Sequence, residues 1–408
     1  MHSEYGALGL GIAEAADGGT VAIESSVPSR VRHALEEERV VAASTGGTFS
    51  AVLTEKGQVW TFGCGDDGQL GLGVDGMASD GDGDGDADDD DYVVHAVPQL
   101  VKALCDVRIE FICLGQMHAL ALSNKGLLWS WGNNEYGQLG TGDRSNRNEP
   151  TSVEVSISPP DPAGATAPRP RERVVQVAAS YATSAAVTDG RHVWCWGWGQ
   201  HAQMGLGADS SDQPLPSRVP GVDRALSVAC HEFFTCAVLQ GPGGRGELWA
   251  WGNLRERDML SVPLGFDSDD PWQGSAVPRR VRSGGLGDKS VAIVGCGGGH
   301  VVVVTDEGCA LSWGCGLIPS IDLLTPIHGH GRRDAVLTPT PIPNLPAPVG
   351  RYRRLPAGQS CFFFFDSFAG DYGVRARPPA LLISQMLPTP RTATPPPHLT
   401  PTPPTTKF

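Results

Sequence analysis

Short apolar runs interrupted by glycine recur along the whole chain. Three of them occupy residues 41–53, 112–122 and 177–187, and two more begin at Ser227 and Val291. Small and β-branched residues on both sides of a glycine or polar pair predict a buried strand, a turn and a second strand. A further turn then leads into an alternating segment such as Leu-Trp-Ser-Trp at 128–131. This alternation predicts a third strand, and none of these segments has the period of a helix.

The third strand opens a longer phrase that is repeated. Its clearest copy, at 128–142, reads Leu-Trp-Ser-Trp-Gly-Asn-Asn-Glu-Tyr-Gly-Gln-Leu-Gly-Thr-Gly, with echoes at 59–73, 193–207 and 248–265. The glycine after the aromatic residue recurs at steps of 69, 65, 55 and 62 residues, at the positions Gly63, Gly132, Gly197, Gly252 and Gly314. A near-regular period with loops of variable length indicates a repeat architecture.

These repeats predict an all-β protein, a β-propeller built from four-stranded antiparallel blades. A single small sheet cannot bury both faces until neighbouring sheets stack on it, so the aromatic residues are expected between blades. The phrase resembles the regulator of chromosome condensation repeat, over roughly residues 1–366. That resemblance implies a propeller, usually of seven blades, in a family that includes guanine-nucleotide exchange, tubulin-linked, ubiquitin-ligase-linked and light-sensing members. Fold alone does not choose among these functions.

The chain ends are predicted to share one blade. Residues 2–11 align with 133–142, and residues 354–365 align with the first half of a repeat. A blade divided between the termini would close the ring and remove its exposed edges. Five copies keep the aromatic-glycine pair, whereas the composite copy lacks it, so we expect six to seven blades: either a smaller ring or one with incomplete ends.

The propeller is expected to span residues 1–376, with three insertions and a tail. The acidic insertion 75–91 matches a calcium-binding loop in part, with Asp at positions 1, 3 and 5 counted from Asp80, but no amphipathic helix flanks it. We therefore expect a solvated acidic loop and no metal site. Residues 158–170 and 319–348 are predicted proline-rich loops, and residues 377–408 a disordered Pro/Thr-rich tail.

Composition narrows the possible partners. The formal net charge of −14 disfavours direct binding to nucleic acid. The sequence shows no apolar segment long enough to span a membrane and no secretory leader, so we expect a cytoplasmic or nuclear protein. The 10 cysteines lack metal-ligand spacing and are expected to be free thiols, and no cofactor is predicted.

No arrangement of residues typical of an enzyme is found. Ser/His/Asp order, a phosphate-binding glycine loop before a helix, and a carboxylate pair on a credible scaffold are all lacking. The position that holds histidine in the family holds it here only at His118 and His300, which we interpret as packing or hydrogen-bonding residues inside a blade. The protein is therefore expected not to be an enzyme.

The candidate site consists of polar residues in equivalent turns, which the repeat would gather near one face of the ring. They are Asp66, Asp67, Asn133, Asn134, Glu135, Gln200, His201 and Arg255. Trp198 is added because it lies in a turn, beyond the glycine of its own phrase. A tryptophan there either anchors a partner or packs under its own loop.

The expected function is therefore a non-enzymatic protein-interaction scaffold, most like the small tubulin-suppressor-type members of the family. The alternative is a guanine-nucleotide exchange factor for a small Ran-type GTPase, since exchange needs only a surface that stabilises the nucleotide-free GTPase. The partner is expected to be another protein: a small GTPase, a tubulin-related protein or a ubiquitin-ligase-related protein.

Overall fold

The computed structural model describes most of the chain before residue 344 and nothing after residue 343. The described residues are 7–10, 12–14, 20–22, 29–31, 35–73, 93–155, 172–207, 211–254, 263–270, 272–297, 299–314 and 335–343. They form five four-stranded antiparallel sheets and one two-stranded sheet, with two single-turn 3₁₀ helices at Lys102–Leu104 and Pro242–Gly244. The predicted all-β class is confirmed.

Each four-stranded sheet is one blade, and its strands follow one another along the chain. Blade 1 contains β3 (Val40–Thr45), β4 (Phe49–Thr54), β5 (Val59–Cys64) and β6 (Val94–Leu100). Blade 2 contains β7 (Ile109–Leu114), β8 (His118–Ser123), β9 (Leu128–Gly132) and β10 (Arg147–Val153). Blade 3 contains β11 (Val174–Ser180), β12 (Thr183–Thr188), β13 (Val193–Gly197) and β14 (Gln213–Arg218). Blade 4 contains β15 (Ala225–Cys230), β16 (Phe234–Gln240), β17 (Gly246–Gly252) and β18 (Ser275–Arg280). Blade 5 contains β19 (Val291–Gly297), β20 (His300–Thr305), β21 (Ala310–Gly314) and β22 (Val336–Pro341).

The strand order gives every blade two distinct ends. We call the four strands of a blade A, B, C and D in chain order, and each pairs antiparallel with the next. The A–B turn and the C–D loop therefore lie at one end, which we call the C–D face. The B–C turn and the connection to the following blade lie at the other end, which we call the B–C face. The repeated turn phrase is thus brought to the C–D face in successive blades.

Apolar side chains fill the space between neighbouring blades. One buried cluster joins blades 1 and 2 and includes Phe49, Leu70 and Trp131. Equivalent clusters join blades 2 and 3, blades 3 and 4, and blades 4 and 5. The second aromatic residue of each phrase is the largest part of this core, and Trp131 and Trp196 are fully buried. This packing is the inter-blade contact that the repeat predicts.

A glycine of the preceding blade makes room for each of these aromatic rings. In blade 2 the glycine is Gly140, with a φ of +75°, and a Cβ added to it would lie 2.9 Å from Trp196 Nε1. The same pairing recurs between Gly71 and Trp131 and between Gly205 and Trp251. Only glycine combines the positive φ with this close approach. The first glycine of the Leu-Gly-x-Gly phrase therefore determines how closely two blades stack.

Gly9 occupies the same position at the start of the ring. Its φ is +66°, and an added Cβ would lie 2.8 Å from the ring of Phe62, the residue that takes the place of tryptophan in blade 1. The predicted alignment of residues 2–11 with 133–142 therefore agrees with the contacts of its described part. The residues predicted to complete that composite blade, 354–365, lie outside the described residues, as do the acidic insertion 75–91, the loop 158–170 and the tail 377–408. The additional two-stranded sheet consists of strands β1 (Ile12–Glu14) and β2 (Thr20–Ala22), and the repeat pattern did not predict it.

The prediction of a continuous loop at 319–348 is wrong for residues 336–341, which form the outer strand of blade 5. The outer strand contains proline at one register position in all five blades: Pro98, Pro150, Pro216, Pro278 and Pro339. In each blade the pairing between strands C and D shifts next to this position. Proline is tolerated there because an outer strand needs hydrogen bonds on one side only.

Candidate partner-binding face

Eight of the nine predicted site residues lie on the C–D face. Asp66 and Asp67 follow strand C of blade 1, and residues 133–135 follow strand C of blade 2. Trp198, Gln200 and His201 follow strand C of blade 3. The ninth, Arg255, lies outside the described residues. The predicted gathering of these turns at one end of the ring follows directly from the strand order.

The aspartates of blade 1 hold their own loop and the next blade in place. Asp66 Oδ1 accepts a hydrogen bond from the Val93 N–H (2.9 Å), which closes the C–D loop across the insertion. Asp67 Oδ1 accepts from Asn133 Nδ2 (3.0 Å) and from Asn146 Nδ2 (2.9 Å), both in blade 2. Both carboxylates therefore stabilise the structure: Asp66 closes its own loop, and Asp67 joins blade 1 to blade 2.

Asn134 is a correction to the sequence-based site, because its side chain is fully buried. Its Nδ2 donates to the carbonyls of Asp143 (3.0 Å) and Ser145 (3.1 Å), and its Oδ1 accepts from the Leu139 N–H (3.0 Å). The amide thus ties the start of the C–D loop to its end. A partner could reach it only if the turn opened, whereas the adjacent Glu135 is exposed.

The glutamine of the repeated phrase accepts hydrogen bonds both within its own turn and from side chains of the next blade. Gln138 Oε1 accepts from the Tyr136 N–H (2.9 Å). The Gln138 carbonyl accepts from Trp196 Nε1 (2.8 Å) and from the hydroxyl of Ser184 (2.8 Å), both in blade 3. Buried polar groups need hydrogen-bond partners, so the indole that fills the core also provides the donor that the buried Gln138 carbonyl requires. The arrangement recurs at Gln203, whose carbonyl accepts from Trp251 Nε1 (2.9 Å).

His118 fills the interior of blade 2 and belongs to no site. It is fully buried, and its Nε2 lies 2.9 Å from the Ser184 hydroxyl. Burial lowers the pKa of His118 to about 4, because a charged imidazole would lose its hydration. It pairs with Gly132 in the same register in which Phe49 pairs with Gly63. The interpretation of His118 as an internal packing residue is in agreement with this geometry.

Five aromatic rings from three blades meet on the C–D face, and we call them the Trp198 cluster. Trp198 lies 5.9 Å from Tyr136, 5.6 Å from Tyr181, 4.9 Å from His201 and 6.1 Å from Phe233, measured between ring centroids. Tyr136 belongs to blade 2, Trp198, Tyr181 and His201 to blade 3, and Phe233 to blade 4. Tilted and edge-on contacts at these distances are favourable. Trp198 therefore packs against neighbouring blades rather than only under its own loop.

The cluster is held in a fixed position yet remains in contact with solvent. The Trp198 N–H donates to the Ala182 carbonyl (2.9 Å), and the Gly199 N–H donates to Asp212 Oδ1 (3.1 Å). Trp198, Tyr136, Tyr181 and His201 are half-buried, whereas Phe233 is buried beneath them. The result is a rigid aromatic surface of the kind that anchors partners.

Carboxylates surround the cluster. The pKa of Tyr181 is raised by partial burial and then by the charges of Glu232 and Glu135. The pKa of Tyr136 is raised by burial and by Glu135 and Asp212, against the opposing effect of Arg144. Arg144 Nη2 lies 3.0 Å from Asp212 Oδ2 and so forms an ion pair with it. Negative charge therefore dominates around the two tyrosines.

Five of these aromatic and acidic residues were not predicted from the sequence: Tyr136, Tyr181, Asp212, Glu232 and Phe233. Tyr181, Glu232 and Phe233 lie in A–B turns, at positions where blade 1 has Gly47 and Thr48. Their signal in the sequence was that blades 3 and 4 have aromatic and acidic residues where blade 1 has small ones. Because the residues come from different blades, their convergence on Trp198 appears only in three dimensions.

Within the described residues, no group of three or more His, Cys, Asp and Glu side chains could hold a metal ion. The part of the chain that the structure describes also contains no helix long and apolar enough to cross a membrane.

Comparison with known proteins agrees with this architecture. Two models described as the Regulator of chromosome condensation (RCC1) repeat match the chain, one at residues 56–122, 125–187 and 190–238, the other at 40–69, 109–138 and 174–203. The crystal structure of human WBSCR16 superposes with a TM-score of 0.60 at 23% identity, covering 79% of this chain and 72% of that chain. The crystal structure of Kap60 bound to yeast RCC1 (Prp20) gives a TM-score of 0.54 at 19% identity, covering 77% and 65%. At these identities the likeness concerns the fold.

Curated relatives include three proteins of different description. The E3 ubiquitin-protein ligase HERC2 of Homo sapiens is 30% identical over 76% of this chain and 5% of its own length. The ultraviolet-B receptor UVR8 of Arabidopsis thaliana is 27% identical over 69% of this chain and 54% of its own length. The mitochondrial RCC1 domain-containing protein RUG3 of the same plant is 32% identical over 48% of this chain and 36% of its own length. The chain thus spans from one-twentieth to about half of these relatives.

Fold, repeats and turn geometry together define a β-propeller of four-stranded antiparallel blades. The chain carries repeats of the regulator of chromosome condensation family. The finer expectation of a likeness to tubulin-suppressor-type members stays a prediction.

Proposed function

We propose that this chain is a non-enzymatic protein-interaction scaffold whose contact surface is the Trp198 cluster. The observation that carries the proposal is the convergence of five aromatic rings from three blades on one face, with Trp198 at the centre. Tryptophan and tyrosine are enriched among the residues that contribute most to binding energy. The backbone around Trp198 is already ordered, so a partner would lose little free energy in arranging it.

The remaining predicted residues are proposed either to contact a partner or to position the turns. Glu135 and Gln200 are exposed beside the cluster and are proposed to contact a partner directly. His201 belongs to the cluster itself, with its ring 5.0 Å from that of Phe233. Asp66, Asp67 and Asn133 are proposed to position the turns. Cytoplasmic or nuclear location is proposed with the function.

Affinity capture with matched variants tests the proposal. The full-length chain, a Trp198→Ala variant and a Leu127→Ala control are each used to capture proteins, which are then quantified by mass spectrometry. Leu127 is an exposed apolar residue on the B–C face, so its loss removes a similar kind of surface elsewhere. We expect the specific partners to be at least tenfold depleted with Trp198→Ala and retained with Leu127→Ala. Circular dichroism of each variant checks that the propeller is folded.

The same capture data bear on the class of partner. Tubulin-related and ubiquitin-ligase-related proteins are the two scaffold partners expected from the sequence, and either would be identified directly. If Trp198→Ala retained every partner of the unaltered chain, the Trp198 cluster would not be the contact surface, and the proposal would fail.

The alternative proposal is guanine-nucleotide exchange on a Ran-type GTPase. Such a reaction needs no covalent chemistry, only preferential binding of the nucleotide-free GTPase, and the family resemblance supports it. Release of a fluorescent guanine nucleotide from a Ran-type GTPase, with catalytic amounts of this chain, tests it. Acceleration that saturates with GTPase concentration would favour exchange, whereas unchanged release at high protein concentration would exclude it.

A further inference from the structure

The charge around the Trp198 cluster has one dominant sign. Glu135 precedes Tyr136 and Glu232 precedes Phe233 in their turns, and Asp212 Oδ1 accepts a hydrogen bond from the Gly199 N–H (3.1 Å), so three acidic residues border the cluster. Their charges contribute to raising the pKa of Tyr181 and of Tyr136. Among the described residues, one guanidinium, that of Arg144, acts in the opposite sense, and it lies 3.0 Å from Asp212 and 2.9 Å from the Glu135 carbonyl. The described part of this surface therefore combines half-buried aromatic rings with an excess of negative charge.

These two features favour the same kind of ligand. The face of an indole or phenol ring attracts a cation, most strongly when water is partly excluded. A carboxylate at the edge of the ring attracts the same cation and, for a guanidinium, can accept two hydrogen bonds. An acidic or purely apolar segment would gain nothing from Glu135 and Glu232, and the overall charge of −14 would repel an acidic one.

Resting on the proposed scaffold function, we propose that the Trp198 cluster recognises an arginine- or lysine-bearing segment of a partner protein. The cationic group lies against the rings of Trp198 and its neighbouring tyrosines, with Glu135 and Glu232 as its counter-charges. Gln200 lies exposed in the same turn and is placed to contact the backbone of the segment. Specificity then comes from the cation, and the rings supply the apolar contact area.

Selection from a random peptide library tests this inference without knowledge of the partner. Phage-displayed peptides are selected on the immobilised full-length chain after removal of those that bind the Trp198→Ala variant. We expect the remaining peptides to carry arginine or lysine at one dominant position. A synthetic copy with citrulline in place of that arginine keeps the shape and loses the charge, and it should bind at least tenfold more weakly.

Matched charge variants separate local recognition from the general attraction of basic peptides to an acidic protein. Glu135→Gln and Glu232→Gln should each weaken binding of the selected peptide about two- to fivefold, as expected for ion pairs at a solvent-accessible surface. Glu307→Gln makes the same change in the exposed B–C turn of blade 5, on the B–C face, and should leave the affinity unaltered. Equal losses in all three variants would overturn the inference.

The outcomes distinguish the two proposals. Trp198-dependent peptides without a cationic residue, or with affinities unchanged by citrulline, would overturn the cationic ligand and leave the scaffold surface in place. Failure to recover any Trp198-dependent peptide, together with undiminished protein capture by Trp198→Ala, would overturn the scaffold surface and the inference with it.

Discussion

Replacing Gly140 with alanine tests whether the stacking of blades depends on the glycine that faces each buried indole. Gly140 has a φ of +75°, and alanine in this region is disfavoured by roughly 1–2 kcal/mol. The new Cβ would also lie 2.9 Å from Trp196 Nε1 and 3.1 Å from Val153 Cγ1. Overpacking of this kind costs about 1–3 kcal/mol in a well-packed core.

Two smaller effects act in opposite directions. Displacement of the indole would weaken its hydrogen bond to the Gln138 carbonyl, worth about 0.5–1.5 kcal/mol. Alanine also restricts the unfolded chain, which stabilises the folded state by about 0.4–1 kcal/mol. We therefore expect a net loss of about 2–4 kcal/mol in the free energy of unfolding, a substantial fraction of the total stability of a domain.

Gly207 is the matched control because it also has a positive φ, +94°, but an added Cβ would meet nothing within 4 Å. Gly207→Ala should lose only about 1 kcal/mol, since backbone strain acts alone. Urea unfolding of the full chain, followed by tryptophan fluorescence, measures both variants. Equal losses would refute the reasoning, because the contact between glycine and indole would then contribute nothing beyond φ.

Three further predictions concern single residues. Asn134→Ala should lower the free energy of unfolding by roughly 1–3 kcal/mol, because buried groups such as the Leu139 N–H lose their hydrogen-bond partner, whereas Glu135→Ala should change it by no more than about 0.5 kcal/mol. Thermal unfolding of both variants measures the difference, and equal effects would contradict the assigned burial. Because burial lowers the pKa of His118 to about 4, only the unfolded state gains a proton there as the pH falls below about 6.5, so stability declines by up to about 1.4 kcal/mol per pH unit between pH 6.5 and 4. His118→Phe should reduce that slope in urea titrations at several pH values, and an unchanged slope would remove His118 as a source. In the native protein, iodoacetamide should modify the exposed Cys105 before the buried Cys195, whose pKa is raised by burial; mass spectrometry showing equal rates would be the contrary result.

Much of the fold was predictable because the same pattern of apolar residues, glycines and aromatic residues recurs in every described blade. The aromatic-glycine pair marks strand C in every described blade, and the register of His118 with Gly132 matches that of Phe49 with Gly63. The outer strand of blade 5 was missed because its two prolines indicate a loop when read locally. The strand tolerates them because it is the outer one; Pro339 also lies at the shift in the C–D pairing, whereas Pro341 pairs in register with Leu311.

The candidate site was less predictable, for a physical reason. Polar residues are favoured in turns both by solvent exposure and by hydrogen bonding within the turn, and sequence does not separate the two. Asn134 and Glu135 are adjacent, yet the first is fully buried and the second exposed. Trp198 was identified from its unusual place in the phrase, whereas its neighbours Tyr181 and Phe233 come from turns whose approach depends on how blades stack.

The proline in the outer strand of each described blade bears on whether the nascent chain aggregates during synthesis. A propeller emerges from the ribosome one blade at a time, and the outer strand of each finished blade has a free edge at the rim while the remaining blades form. Unpaired strand edges at that stage are the surfaces through which nascent chains join one another. Proline removes an N–H donor from each rim and the adjacent bulge twists the edge, so half-built rings on neighbouring ribosomes have poor templates for pairing.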